Sequence, residues 1–447
     1  METVSLDNAQ QTQLMGSGTV TVNQNNTVAF SPSAGIEIDS LGLKSGTLAF
    51  VFNSDFQFSG NASVNIVLPD LKLNGQPFNK TIPINNLNGT TSKTYDISGY
   101  TFDMTDGGTT FNAIPMQYAV TLNYTGGSVG PTDNIEIVSS IESLAFSKVF
   151  GDFGQQIIST DRDSILIRIF ENSSSGSFQL TNPKLRIDVT NSFGFPVQLD
   201  FTTLESITTN TIPSVVTPIE YLGNTPPFTL MTIGAPGISQ MGQSVTSSIE
   251  INNSNSDFAT LMEPTPKYVH HAIQAVSNPA GGASSNFITD ESLLIIDTQV
   301  ELPLEGYANG WGLIDTLAFE FGEGSFENIE EMLFRINVDN ALPVNARLQL
   351  YFTDSVFNVL DSLMDGRTEL FESGVVNSDG KVTAATNKIT DIIVDQERAP
   401  KITRAKYIIV WAEAETYNAG SNQIVKIFDD NYINVRLGVK IDGNVKL

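Results

Sequence analysis

From Ile433 to Ile441 every second residue is a branched aliphatic. Ile433, Val435, Leu437, Val439 and Ile441 alternate with Asn434, Arg436, Gly438 and Lys440. Side chains two apart share one face of an extended strand, whereas a helix gathers residues three and four apart. The same alternation sets Leu185, Ile187 and Val189 against Lys184, Arg186 and Asp188. It also sets Val344, Ala346, Leu348, Leu350 and Phe352 against Asn345, Arg347, Gln349 and Tyr351. Val64, Ile66 and Leu68 repeat it, as do Ile165, Ile167 and Ile169. Turn clusters separate such runs: Asp106-Gly107-Gly108, Thr125-Gly126-Gly127, Ser173-Ser174-Ser175-Gly176 and Ser378-Asp379-Gly380. Short strands at this spacing predict an all-β chain of tandem antiparallel β-sandwich, Ig-like domains. Long amphipathic helices are missing from the pattern. Val356, Phe357, Val359, Leu360, Leu363 and Met364 fit two helical turns, and Val269, Ala272, Ile273 and Val276 fit either a helix or, preferably, a strand ending at Asn278-Pro279.

The chain has 447 residues, and about 150 residues per core suggests roughly three domains. A degenerate repeat agrees. An apolar strand runs into an Asn at Asn53, Asn191 and Asn340, positions 138 and 149 residues apart. After the last two, a short break containing Pro196 or Pro343 precedes a second alternating strand. Asn tolerates left-handed backbone and Pro cannot donate to a ladder, so each copy reads as a bulge or a switch between two sheets. The expected domains are 1–150, 151–264 and 287–447, with a linker-like segment over 265–286 centred on Asn-Pro-Ala-Gly-Gly-Ala-Ser-Ser-Asn.

The segment Asn182-Pro183-Lys184-Leu185-Arg186-Ile187-Asp188-Val189-Thr190-Asn191-Ser192-Phe193-Gly194-Phe195-Pro196-Val197 resembles the late-embryogenesis-abundant type 2, or WHy-like, β-sandwich. In that family a strand begins near Asn-Pro and leads into an Asn- and Pro-containing break. Asn278-Pro279-Ala280-Gly281 echoes the start of that motif. The resemblance implies a LEA-2-like fold and no chemistry. The wider texture, as in Asp96-Ile97-Ser98-Gly99-Tyr100 and Lys426-Ile427-Phe428-Asp429-Asp430-Asn431-Tyr432, is similar to exported proteins of Bacteroidota. Such bacteria attach glycans at Asp followed by Ser or Thr and an aliphatic residue. That likeness implies candidate glycosylation at Ser40, Ser164, Thr316, Ser355 and Ser362, each of which follows an Asp.

Charge narrows the partners. Lys and Arg total 23 against 49 Asp and Glu, for a net charge of −26. Binding to nucleic acid needs basic side chains that release counterions, and an anionic membrane surface needs the same, so both are disfavoured. The expected partner is a protein or glycan at a cell surface. The chain has no cysteine, which removes disulfides, thiolate nucleophiles and Cys-based metal sites together. A cysteine-free exported β protein fits a bacterium better than a plant or animal. No apolar run reaches the roughly 18 residues of a membrane span. Met1-Glu2-Thr3-Val4-Ser5-Leu6-Asp7 lacks the basic and apolar regions of a leader. Either the protein is cytosolic or its leader, such as that of an outer-membrane lipoprotein, is absent from this sequence. The extracellular or outer-membrane location is the expectation.

Candidate chemistry is sparse. The two histidines, His270 and His271, are adjacent, so on a strand they point to opposite faces and cannot act together. Gly126-Gly127-Ser128-Val129-Gly130 has the form of a nucleophile elbow, but Pro131 follows and no helical pattern does. Phosphate-binding loops are missing. Asp161 and Asp163, and Asp429 and Asp430, are candidate calcium ligands, though neither pair matches the Asp-x-Asp-x-Asp-Gly loop. Otherwise no cofactor is expected. Trp311 and Tyr307 are candidate ligand-binding residues, Trp311 pairing with Trp411 as a sugar-stacking platform. The run Glu320, Glu323, Glu327, Glu330 and Glu331 reads as a solvated loop or the wet face of a short helix. Three functions remain: a non-enzymatic surface or secreted protein, structural or adhesive; a carbohydrate-binding surface module; and a hydrolase with an unrecognised carboxylate pair.

Overall fold

The computed structural model describes residues 2–33, 35–220, 222, 231–281, 286–321 and 329–443. It is all-β, with antiparallel sheets throughout, as the alternation predicts. In the first unit β1 (Glu37–Asp55), β2 (Ser59–Leu73), β3 (Ala113–Gly126) and β4 (Asn134–Asp152) form the body of one ten-stranded sheet. Leu48, Phe50 and Phe52 alternate along β1 and are fully buried. The rings of Phe50 and Phe52 stack at 6.3 Å. Burying each such side chain contributes roughly 1.5–3 kcal/mol. Register shifts between Ile38 and Thr47 bend β1 over this core. One helix escapes the period-two reading: α1 (Asn8–Ser17). Asp7 and Gln10 cap it reciprocally, Gln10 N donating to Asp7 Oδ1 at 2.8 Å and Asp7 N donating to Gln10 Oε1 at 2.9 Å.

The second unit contains β5 (Ile157–Ser159), β6 (Asp163–Leu166), β7 (Ser173–Leu180), β8 (Lys184–Asn191), β9 (Val197–Thr208), β10 (Val245–Ile251), α2 (Phe258–Met262), β11 (Tyr268–Ser277), β12 (Asn286–Thr289) and β13 (Leu294–Glu301). One sheet has the order β10-β8-β13, and in the other β11 lies between β9 and the short pair β5 and β6. The third unit repeats this plan with β14 (Glu305–Ala318), β15 (Ile329–Asn340), β16 (Val344–Thr353), β17 (Thr386–Asp395), α3 (Ala399–Thr403), β18 (Tyr407–Thr416) and β19 (Ile433–Gly443). Its sheets run β17-β15-β19 and β14-β18-β16.

The repeat is therefore twofold, not threefold. At Asn191 the chain leaves the β8 sheet and enters the β9 sheet at Val197, and at Asn340 it passes likewise from β15 to β16. Asn53 does nothing comparable. It lies inside β1, bonded sideways to Glu136 and Thr90, because Ser54 and Asp55 continue the ladder.

The expected linker over 265–286 is also corrected. Tyr268–Ser277 is β11, central to its sheet, with Val269 fully buried. Asn278 and Asn286 are buried and joined by a 3.0 Å hydrogen bond. The turn cluster misled because Asn278 and Asn286, at its two ends, are satisfied inside the fold. The second unit's sheets thus continue to Glu301. Neighbouring units also share strands: β12 pairs with β4 of the first unit, and β7 pairs with β14 of the third. One connected apolar core runs from Val4 to Ala308, and a second spans Ile329 to Ala405. The helical option at 356–364 is a strand, Val359–Ser362, flanked by irregular chain. Glu323 and Glu327 lie outside the described residues.

Candidate functional site

The alternation that fixes β19 as a strand also gives it an apolar face. Val435, Leu437 and Val439 stand opposite Val338, Ile336 and Phe334 of β15, so they point between the two sheets of the third sandwich. The positions on β15 are buried, yet Leu437 is 63% exposed, against 7% for its partner Ile336. β19 forms the rim of a slot of about 280 Å³ whose lining residues, including Leu350, Phe352 and Ile408, are all apolar. Leu317 of β14, the cross-strand partner of Ile408, is also exposed. Beyond Ile314, β14 is paired on one side alone among the described residues, to β18.

The second sandwich fills the same place differently. Asn191 faces Leu294 and Asn340 faces Ile433, so Thr298 holds the position of Leu437. Val197 faces Ser277 and Val344 faces Thr416, so His271 holds the position of Val410. His271 Nε2 and Thr298 Oγ1 lie 3.3 Å apart and bridge the two sheets. Burial pushes the His271 imidazole below its ordinary range, against the pull of Asp163. His270 is lowered too, by burial and then by Arg162, with Glu205 opposing. Its Nδ1 is 3.9 Å from Glu205 Oε1, whose carboxylate Arg162 holds, and has no hydrogen-bond partner among the described residues. These are packing histidines between strands. The glycine-rich Gly126–Gly130 stretch is a turn leading to β4, with no helix after it.

Trp311 packs into the junction of the second and third units. Its ring meets Phe178 at 5.3 Å and Phe170 at 6.2 Å, both edge-to-face, and its Nε1 donates to Ser173 Oγ at 3.2 Å. The Tyr307 hydroxyl donates to Gln179 Oε1 at 2.7 Å, again across the junction. Trp311 pairs with Ala414, whereas Trp411 pairs with Ile314 three residues along, so the two indoles lie on opposite faces of the sheet. Trp411 is instead covered by Arg367, whose guanidinium sits 3.5 Å from the ring centroid. The expected two-tryptophan platform does not form.

Carboxylates gather at two places. Asp39 is raised above the usual carboxylate range by burial, then by Asp103 and Asp152. Glu369, Glu413 and Glu415 flank Arg347 around a space of about 10 Å³, which holds no sugar ring. Lys388 pairs with Glu369 at 3.1 Å and Arg367 with Glu413 at 3.2 Å. Asp161 and Asp163 lie on an exposed loop and edge of the second unit, and Asp429 and Asp430 on an exposed turn of the third. Among the described residues no three His, Asp or Glu side chains converge as metal ligands. Of the candidate glycan sites, Ser164, Thr316 and Ser355 are exposed, while Ser40 and Ser362 are half-buried in strands.

No family model matches the chain and no curated protein matches it, so the likeness of residues 182–197 to the late-embryogenesis-abundant type 2 domain rests on that segment. Among solved structures the chain is similar to "a putative secreted protein from Parabacteroides distasonis ATCC 8503", at 12% identity over 67% of this chain and 90% of that one, with a TM-score of 0.29. No helix among the described residues is long and apolar enough to cross a membrane.

Proposed function

We propose that this chain is a non-enzymatic protein of the bacterial cell surface or extracellular medium. Its tandem sandwiches form a structural stalk and its third sandwich makes the adhesive contact. The observation that carries this reading is the duplicated sandwich, whose second copy has an open apolar slot at the place where His271 and Thr298 bridge the sheets of the first copy. The residues with the best claim to chemistry support it from the other side. Trp311 and Tyr307 are engaged in packing between units, and both histidines are held below their ordinary range between strands. The acidic surface favours a soluble, self-repelling particle. The test is proteinase treatment of intact cells producing the full protein. Loss of the chain from unbroken cells, or its presence in the medium, is expected. Protection until lysis contradicts the reading.

A further inference from the structure

The exposed side of β19 asks for one more strand. Among the described residues β19 pairs with β15 alone, and the amides and carbonyls of its other edge meet no second strand among them. Beneath that edge lies the all-apolar slot, rimmed by Val435, Leu437 and Val439. A strand added beside β19 places alternate side chains into the slot and the others on the outer face of the sheet. That outer face fixes their chemistry. It carries Arg436 and Lys440 in a chain of net charge −26, with Lys440 already 2.6 Å from Asp442 of its own strand. Acidic residues opposite these cations make favourable cross-strand pairs, whereas like charges directly opposite are unfavourable. A second β19 laid antiparallel about Gly438 instead sets Arg436 against Lys440, which repel. The chain supplies its own precedent, because β12 and β7 are strands lent to a neighbouring unit's sheet.

We propose that the β19 edge of the third sandwich binds an extended segment of a partner polypeptide whose side chains alternate apolar and acidic. This rests on the reading of the third sandwich as the adhesive element, and it names the partner's chemistry.

The test is fluorescence polarisation on the purified full chain with a capped peptide of about nine residues, long enough at roughly 3.3 Å per residue to span β19. One peptide alternates valine with glutamate and its control alternates valine with lysine. Saturable binding of the glutamate peptide is expected, about tenfold or more tighter than the lysine peptide, equivalent to about 1.4 kcal/mol. Leu437→Asp removes it. The double substitution Arg436→Glu with Lys440→Glu lies on the exposed face, leaves the melting curve in place, and reverses the preference. Absence of saturable binding, equal binding of the two peptides, or unchanged binding by a folded Leu437→Asp chain overturns the proposal. So does sedimentation showing that β19 joins two copies of this chain. Failure here with surface exposure intact on cells overturns the strand alone, whereas protection from external proteinase overturns the location and leaves the peptide result standing.

Discussion

Asn191 and Asn340 make the same three hydrogen bonds in two copies of one sandwich. Each is fully buried. Asn191 Nδ2 donates to the carbonyls of Phe195 and Gly234, both at 3.0 Å, while its Oδ1 accepts from Phe193 N at 2.9 Å. Asn340 Nδ2 donates to the carbonyls of Val344 and Glu372 at 2.9 and 2.7 Å, while its Oδ1 accepts from Leu342 N at 2.9 Å. The amide thus replaces the ladder where the chain changes sheets, and only a side chain with both donors and an acceptor at this length does so.

Truncating either buried amide leaves two carbonyls and one N–H without its bonds. Asn191→Ala and Asn340→Ala are each expected to cost about 2–4 kcal/mol, since each unmade buried bond costs roughly 1–3. Asn53→Ala costs less than about 1 kcal/mol, because its partners Glu136 and Thr90 are near water. Urea unfolding of the three variants checks the order. Equal losses at all three positions contradict it.

Trp311 and Trp411 separate packing from recognition. Trp311→Ala empties the space against Phe170 and Phe178 and is expected to cost about 3–5 kcal/mol. Trp411→Ala loses a half-exposed stack under Arg367, about 0.5–1 kcal/mol. A glycan array on both variants should match the unchanged protein. Binding lost in Trp311→Ala with its stability unaltered would restore the sugar-platform reading.

The histidines make stability depend on pH. Both are lowered from 6.5 in the fold, so the unfolded chain takes up protons first as pH falls. Their contribution is fully present above about 6.5 and is lost as pH drops from there through the depressed folded values. Melting temperature should therefore fall as the pH drops below about 6.5, and His271→Phe should flatten that slope. A slope that persists in both His271→Phe and His270→Phe assigns it to carboxylates.

Most of the fold is legible in the residues, and the reasons are local. Period-two alternation exposes β8, β16 and β19 because one face of each meets a core. The Asn191 and Asn340 breaks are visible because each is short and carries a proline nearby. Asn53 imitates them in composition, and its role is decided by β4 and Thr90, which are distant in sequence. The stretch from Asn278 to Asn286 reads as a linker because the hydrogen bond between those two buried side chains leaves no trace in composition. The slot is hidden for a related reason. Leu437 and Ile336 are equally apolar in sequence, and only the register of β15 with β19 shows that one is covered and the other is not.

That difference has a thermodynamic consequence. Ile336→Ala is expected to cost about 2–5 kcal/mol, as for a buried aliphatic. Leu437→Asp should cost less than about 1 kcal/mol in the isolated protein. Denaturant midpoints of the two variants decide it, and a comparable loss at Leu437 means the slot is closed in solution.

Amide hydrogen exchange along Ile433–Gly443 addresses the open edge itself. With β15 on one side and water on the other, alternate amides of β19 should exchange slowly and the intervening ones at near-free rates. The valine–glutamate peptide should then slow the fast set alone. Uniform protection of the strand in the free protein, or no added protection with peptide bound, contradicts an edge that receives a partner strand.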